Sequence, residues 1–153
     1  MNRMEKIIVG WREWLALPSL NIAHIKAKID TGARTSSLHA FSVEPYLVRG
    51  APMVSVKVHP YQNNTSYEIA FDAEVVDRRW VSDSGGHKEK RYVIMAAMQL
   101  GHHSWESELT LTNRDTMKFR MLLGRTAMDG RLLVDPAASY LAGRRPKSKH
   151  KKG

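Results

Sequence analysis

The sequence predicts a small all-β protein, and three features of the chain support this. Most apolar stretches have a hydrophobic period of two residues, turn signals separate them, and only one short stretch is typical of a helix. Alternation places one set of side chains on a core face and the other towards solvent, as in half-buried strands. Many short strands joined by turns favour a barrel or a sandwich.

The alternating stretches define four predicted strands, over residues 25–29, 54–58, 71–75 and 109–112. A further strand is predicted over residues 43–48, as the first arm of a hairpin with 54–58. Turn signals rich in Gly, Asn, Asp and Ser fall between them, at residues 49–50, 62–64, 84–86, 101–103 and 113–115. The single predicted helix is short and follows Gly124, over residues 125–128. We therefore expect a closed or partly open barrel with one short helix near its C-terminal end.

Length and charge divide the chain into one domain and a tail. The sequence has 153 residues, enough for a single core, and a formal net charge of +9. Six cations lie in residues 144–153, which contain no acid, so the rest of the chain carries only +3. A charged, apolar-poor segment cannot bury surface. We predict a folded domain over residues 1–142 and a disordered basic tail over 143–153, with no specific nucleic-acid partner.

The chain has features expected of a cytoplasmic protein. It contains no cysteine, which excludes disulfides and thiolate metal sites and fits a reducing compartment. Its first residues have no apolar stretch followed by a small-residue cleavage site. No stretch reaches the roughly 20 apolar residues that a membrane helix needs. We expect a cytoplasmic protein with no membrane partner.

The stretch that carries chemistry is the end of the strand over residues 25–29, which runs into Asp30-Thr31-Gly32-Ala33. Glycine allows tight turns and close backbone approach. An acid held in a tight loop at the end of a rigid strand is well placed for catalysis. The triplet alone also closes ordinary loops, so its context decides its meaning. About ninety residues later comes a second short motif, Leu122-Leu123-Gly124-Arg125.

Together these motifs resemble the retropepsin-like aspartic proteases, which pack an apolar-apolar-Gly-Arg segment behind an Asp-Thr/Ser-Gly-Ala loop. Residues 80–91, with Ser84-Gly85-Gly86 at the tip, look like the hairpin flap of these enzymes, and the order of loop, flap and support segment is preserved. Most of the chain is also similar to a bacterial branch labelled ATP-dependent zinc proteases. The shared features are the motifs at residues 10–14, 29–36, 111–114 and 122–125.

The resemblance implies hydrolysis of peptide bonds by water held between two aspartates. The chain has one Asp-Thr-Gly, so the second Asp30 is expected from the other subunit of a homodimer. Thr31 is expected to lock the two loops together, and Gly32 to donate its N–H to the Asp30 carboxylate. Because Ala33 lacks the hydroxyl of pepsin-like enzymes, we expect a pH optimum nearer neutral. The substrate is expected to be a peptide or protein, and an acidic one fits the basic surface.

Two departures from the retroviral pattern stand out. Arg34 follows the motif where retroviral enzymes have an acid, so Arg34 and Arg125 need other acidic partners, for which Glu13, Asp129 and Asp135 are candidates. In addition, residues 41–67 form a longer segment between loop and flap than retroviral enzymes have. Their pattern predicts an added hairpin over 43–48 and 54–58.

Other functions remain open on the sequence alone. A zinc peptidase needs clustered ligands, but the seven histidines are scattered, and the densest group, at residues 102–106, lies on a predicted turn. No glycine-rich Lys-Ser/Thr loop for ATP is present, so we predict no metal and no cofactor. A non-catalytic peptide-binding or dimerisation module on the same fold is the main alternative. The four tryptophans are expected to be core or interface anchors.

Overall fold

A computed structural model describes residues 5–82, 85–113 and 118–143. It contains twelve strands and one α-helix in these ranges, together with a 3-10 turn at Pro18–Leu20 between β2 and β3. The strands are β1 Ile7–Val9, β2 Arg12–Leu17, β3 Ile22–Ile29, β4 Ser36–His39, β5 Ser42–Val48, β6 Ala51–Val58, β7 Ile69–Glu74, β8 Asp77–Ser82, β9 Lys88–Leu100, β10 His103–Thr112, β11 Met121–Leu123 and β12 Leu132–Val134. Helix α1 covers Arg125–Met128. The predicted all-β class and the predicted short helix are both confirmed.

The main sheet closes on itself as a barrel. Its strands lie in the order β10-β4-β11-β3-β2-β9-β8, and β9 also pairs with β10. The long strand β9 makes this possible, because residues 88–93 pair with β8 and residues 93–100 pair with β10. The ring is completed more weakly between β2 and β9, where only Ala16 and Gln99 are paired. The barrel is therefore only partly closed on that side.

The interior of the barrel is filled by the apolar residues of the alternating strands. The fully buried large side chains include Leu15, Ile25, Leu38, Met98 and Leu123, which come from five different strands. Burying side chains of this size stabilises a fold by roughly 1.5–3 kcal/mol each relative to exposure. The period of two in the sequence thus corresponds to one face of each strand lining this core.

The segment between the Asp30 loop and the flap forms a small separate sheet. The predicted hairpin is present as β5 and β6, and β7 adds a third antiparallel strand in the order β5-β6-β7. Arg49 and Gly50 join the first two strands with φ values of 52° and 84°, respectively. Positive φ at both residues of a two-residue loop is the turn that matches the twist of a hairpin. The inserted unit is therefore a three-stranded sheet rather than a hairpin alone.

The two ends of the domain are held together by a parallel pair and a buried acid. Strand β1 pairs with β12 from Ile7 and Leu132 onwards. Glu13 has no exposed surface, and its carboxylate accepts hydrogen bonds from the N–H groups of Gly10, Leu141 and Ala142 at 2.7, 2.8 and 3.1 Å. A buried carboxylate is stable only where donors replace its lost water. Glu13 thus fastens residues 141–142 to the start of β2.

Among the described residues, no helix is long and apolar enough to cross a membrane.

We predict that Glu13→Gln lowers the free energy of unfolding by about 1–3 kcal/mol, the cost of leaving a buried polar group unsatisfied. The amide oxygen can replace one carboxylate oxygen, but the NH₂ group then faces a backbone N–H donor. Urea denaturation followed by circular dichroism measures the change. Glu44→Gln, on the exposed face of β5, is the matched control. Equal midpoints for the two variants would contradict the role of Glu13.

Candidate active site

The site is organised by β11, which lies between β3 and β4. It runs parallel to β3, with Met121 opposite Ala27, and antiparallel to β4, with Met121 opposite Leu38. Strands β3 and β4 are consecutive in the chain, yet residues from about ninety positions later separate them. The connection from β3 to β4, residues 30–35, must therefore cross over the end of β11. Asp30 is the first residue of this connection.

Hydrogen bonds fix the crossing loop against the end of β11. The Asp30 N–H donates to the Leu123 carbonyl at 2.9 Å, and the Arg125 N–H donates to the Ala33 carbonyl at 2.9 Å. The Thr126 N–H donates to the Arg34 carbonyl, also at 2.9 Å. The backbone on both sides of the Asp-Thr-Gly turn is thus held by the segment that contains Leu122-Leu123-Gly124-Arg125.

Gly124 is required at the closest approach of the two segments. A Cβ atom built on it would lie 2.6 Å from the Thr35 carbonyl carbon and 2.8 Å from the Thr35 oxygen, both backbone atoms. Its N–H donates to the Ser36 Oγ at 3.0 Å, in a buried hydrogen bond. The glycine of the second motif therefore has a packing reason, since any side chain would push the Asp30 loop away from β11.

The Asp30 carboxylate is partly exposed and held in position from one side. Its Oδ1 accepts a hydrogen bond from the Gly32 N–H at 2.9 Å, as the resemblance implied. Among the residues that the structure describes, this is its one hydrogen bond, and it has no ion pair. Thr31 and Gly32 are exposed beside it, whereas Ala33 is half-buried. The carboxylate is thus oriented by the loop without being neutralised by a neighbouring cation of the described chain.

The predicted flap is a hairpin made by β8 and β9. The two strands pair from Asp77 opposite Val93 to Ser82 opposite Lys88. Ser84 lies outside the described residues, and of the predicted tip residues Gly85 and Gly86 are described. Gly86 has a φ of 84°, which favours glycine. Trp80 is 65% exposed on β8, so of the two expected positions, core or interface, it does not occupy the core one.

A buried polar network connects the flap hairpin to the sheet under the Asp30 loop. Arg91 on β9 is only 8% exposed, and its guanidinium donates to Ser37 Oγ at 3.0 Å and to Glu89 Oε1 at 2.8 Å. Thr110 Oγ1 lies 3.0 Å from Ser37 Oγ, and Thr112 donates to Glu89 at 2.9 Å. Sequence reasoning missed this network. Its signal was the recurrence of polar residues at alternate positions, at 89 and 91 and again at 110 and 112.

A second charged group lies at the base of the flap, near the start of β8. The Arg79 guanidinium donates to Asp77 at 2.6 Å and to both carboxylate oxygens of Glu108 at 2.8 and 3.1 Å. The hydrogen bond from Arg79 lowers the pKa of Glu108, and the positive charge of nearby Arg34 also lowers it. The same guanidinium lowers the pKa of Asp77 through a hydrogen bond. Arg79 thus joins β8 to β10, and the charge of Arg34, on the Asp30 loop, acts on the same carboxylate.

Among the described residues, none of the three predicted acids, Glu13, Asp129 and Asp135, forms an ion pair with Arg34 or Arg125. The oxygens of Glu13 instead accept the backbone N–H groups of Gly10 and residues 141–142, so this expectation is wrong. The Arg125 guanidinium instead donates to the Thr31 carbonyl at 3.0 Å. Arg34 is near Glu108, which the sequence had not suggested. Asp135 accepts the Ala137 N–H in a local turn.

Within residues 5–82, 85–113 and 118–143, no three His, Asp or Glu side chains are grouped closely enough to hold a metal ion.

A crossing loop with a fixed, partly exposed aspartate, an inner strand behind it and a hairpin flap define the retropepsin-like aspartic protease class. The chain belongs to the RimB-like family, whose model is described as retropepsin-like aspartic endopeptidase RimB and matches residues 8–145. The family assignment agrees with the resemblance carried by the two motifs.

This chain is also similar to part of longer proteins that are named as ligases. Proteins named "Probable alpha-L-glutamate ligase" from Shewanella halifaxensis and Parasynechococcus marenigrum are each 51% identical over 138 residues. These matches cover 90% of this chain but only 30% of the relatives. A crystal structure of the protein Lpg0085 from Legionella pneumophila, described as of unknown function, is similar with a TM-score of 0.74 and 28% identity. That match covers 90% of this chain and 99% of the other.

We predict that Gly124→Ala lowers the free energy of unfolding by about 1–3 kcal/mol or more, as expected where an added carbon meets fixed backbone. Gly32→Ala is the matched control, because its Cβ would meet only the Asp30 side chain, at 3.2 Å. The control should cost no more than about 0.5 kcal/mol, typical of exposed substitutions. Urea denaturation of both variants tests this, and an equal loss in both would contradict the packing role of Gly124.

Proposed function

We propose that the protein is a cytoplasmic aspartic-type endopeptidase that acts as a homodimer, with one Asp30 from each subunit. The observation that supports this most strongly is the state of Asp30. Its backbone is fixed by β11, its carboxylate is oriented by the Gly32 N–H, and one side of it is exposed. An aspartate tied up in a salt bridge would instead have favoured a structural role.

Two carboxylates are required because the reaction needs a base and an acid at once. In the proposed dimer one Asp30 accepts a proton from the attacking water, while the other, protonated, donates a hydrogen bond to the scissile carbonyl. Two charged carboxylates about 4 Å apart repel by roughly 4 kcal/mol at an effective dielectric constant near 20. The repulsion therefore favours a pair that holds one proton, which leaves one carboxylate to act as the base and the other to act as the acid.

The remaining residues position the reacting groups. The hydrogen bonds to Leu123 and from Arg125 and Thr126 hold the loop rigid, so the carboxylates need not reorganise during the reaction. The β8–β9 hairpin closes over the bound peptide and excludes water. Its lower part is fixed to the barrel by Arg91 and Arg79, which leaves the glycine tip as the movable portion.

We further propose that the substrate is an acidic peptide segment. Arg34 and Arg125, both exposed, lie on the two segments that form the catalytic loop and its support. Cations at these positions favour carboxylates near the scissile bond. Relatives that contain a similar stretch are named as glutamate ligases, and a peptidase related to such proteins fits a glutamate-rich substrate.

We predict that Asp30→Asn abolishes hydrolysis of glutamate-rich peptides, because an amide is nearly isosteric with the carboxylate but cannot act as a base. Hydrolysis is followed by mass spectrometry of a peptide mixture. Asp72→Asn, at an exposed position on β7, is the control and should keep full activity.

The same assay includes a strong chelator. Activity should persist in its presence, since both reacting carboxylates come from the chain. Activity in the Asp30→Asn variant, or loss in chelator with recovery on added zinc, would refute the proposal in favour of a metal enzyme.

A mixing experiment tests whether the site is shared. Wild type and Asp30→Asn are combined, unfolded and refolded together so that subunits pair at random. With equal amounts, about one quarter of the dimers of a two-fold assembly carry Asp30 on both sides. We expect activity to fall to about one quarter of that of pure wild type at the same total protein concentration, and to follow the square of the wild-type fraction.

The dependence on mixing ratio distinguishes the two models of the site. The rate is measured at several ratios, well above the concentration at which dimers dissociate. Co-refolding wild type with Asp72→Asn controls for losses during refolding and should leave the rate unchanged. A straight-line dependence on the wild-type fraction would show that each subunit works alone and would rule out a composite site.

A non-catalytic peptide-binding module on this fold is the second candidate. It is favoured by one observation, that the matched stretch is 30% of relatives whose names describe a ligase. In that role Asp30 would be dispensable. Peptide binding that survives in a wild-type protein unable to hydrolyse any peptide of the mixture would support the module over the peptidase.

A further inference from the structure

Outside the catalytic loop, a groove follows the outer face of β2 and β3. It consists of two adjoining depressions of about 350 and 390 Å³, which share Lys26 and Gln62. One depression extends along Trp14 to the segment at residues 60–64, and the other extends along Arg12 and Lys28 to Phe119. We call this surface the β2–β3 groove. None of the proposed catalytic residues lines it.

The charged residues described along the β2–β3 groove are all positive. Four cations line it, Arg12, Lys26, Lys28 and Lys118, and the described lining residues include no Asp or Glu. The remaining lining side chains are aromatic, amide or proline. A concave surface with several cations and no acid concentrates anionic ligands. The groove is therefore suited to an anion longer than a single phosphate or carboxylate.

Two of these cations are positioned by aromatic rings. The Arg12 guanidinium lies 4.7 Å from the centre of the Trp11 ring and 5.0 Å from that of Tyr140. The Lys26 ammonium lies 5.9 Å from the Trp14 ring and 5.7 Å from Phe119. Cation–π contacts of this kind reduce the freedom of long side chains before a ligand arrives.

The same cation–π contacts favour one of two classes of polyanion, nucleic acid and acidic polypeptide. Single-stranded nucleic acid is bound by stacking bases on accessible aromatic faces. Here Arg12 and Lys26 lie over the rings of Trp11 and Trp14, so on these two rings cations occupy the positions that bases would need. Carboxylates need the cations themselves, which the rings support. The arrangement favours an acidic polypeptide over a nucleic acid.

The spacing of the cations matches an extended peptide. Lys26 and Lys28 are alternate residues on β3, and Arg12 is paired directly opposite Lys28. Alternate residues of a strand lie roughly 6.6–6.8 Å apart on one face, and the side chains of an extended ligand have the same repeat. Carboxylates on every second residue of a ligand could thus pair with Lys26 and with Lys28 and Arg12.

One end of the groove lies beside the catalytic loop. Lys28 precedes Asp30 by two residues, and the Ile29 N–H donates to the Trp11 carbonyl at 2.8 Å. The opposite wall is held in place through Gln62, whose side-chain NH₂ donates to the Lys118 backbone carbonyl and whose backbone carbonyl accepts from the Arg120 guanidinium at 3.3 Å. A peptide lying in the groove would therefore follow a fixed path that ends near Asp30.

We propose that the β2–β3 groove binds an extended acidic segment of a polypeptide, with carboxylates of alternate residues at Lys26 and Lys28, and so sets which segment reaches Asp30. The inference rests on the proposed function only for the hydrolysis at Asp30. Binding in the groove does not need hydrolysis and is measured separately from it.

The test uses the full chain with Asp30→Asn, so that no probe is cleaved, and a fluorescently labelled hexaglutamate as ligand. Lys26→Gln/Lys28→Gln should raise the Kd measured by fluorescence anisotropy about tenfold. The control Lys6→Gln/Lys57→Gln removes two exposed cations elsewhere and should change the Kd less than about twofold. In NMR spectra the indole N–H signals of Trp11 and Trp14 should shift on binding, whereas that of Trp105 should not.

Other results would overturn the proposal. Equal weakening in both double variants would indicate a general charge effect, and tighter groove-dependent binding of oligothymidylate than of hexaglutamate would indicate a nucleic-acid site. Unchanged Trp11 and Trp14 signals would place the ligand elsewhere. If the double variant fails to fold, Lys28→Gln alone is used, with an expected threefold rise in Kd. Groove binding without any peptidase activity would refute the proposed function and leave this inference intact.

Discussion

The structure depends on the insertion of β11 between β3 and β4. Two strands that follow each other in the chain are kept apart by three residues, Met121–Leu123, which supply hydrogen-bonding partners to both neighbours. The insertion forces the Asp30 connection to cross the end of the inner strand, and Gly124 makes the crossing possible because only glycine fits beneath Thr35. The order of the strands thus determines where Asp30 lies, and hydrogen bonds within the loop orient its carboxylate.

Polar groups inside the barrel serve the same arrangement. Arg91 and Ser37 are almost fully buried, and a cation placed there is tolerated only because several acceptors surround it. Apolar residues at these positions would pack the barrel equally well and would avoid the desolvation cost of the buried polar groups. The network joins β9, which carries one side of the flap, to β4, which follows the Asp30 loop. The flap and the Asp30 loop therefore share one support.

Local patterns in the sequence predicted much of the fold. Alternation located β3, β6, β7 and β10, and the two motifs located the loop and its support, because these features depend on residues close together in the chain. The closing of the barrel and the addition of β7 to the inserted sheet depend on pairing between distant segments, which alternation does not specify. Glu13 was misjudged for a related reason. An acid in a strand normally faces solvent, and its burial depends on backbone N–H groups at residues 141–142.

The central position of β11 has a consequence for the order of folding. The Asp30 loop lies in the first quarter of the chain, but the backbone groups that hold it belong to residues 123–126. During synthesis β3 and β4 leave the ribosome before β11, the strand that pairs with both of them, has been made. Pairings between such distant segments form slowly, because the intervening chain must first be closed into a loop. The acid thus acquires its fixed geometry only after residues 123–126 have been synthesised, so a shorter nascent chain cannot hold the Asp30 loop in its final form.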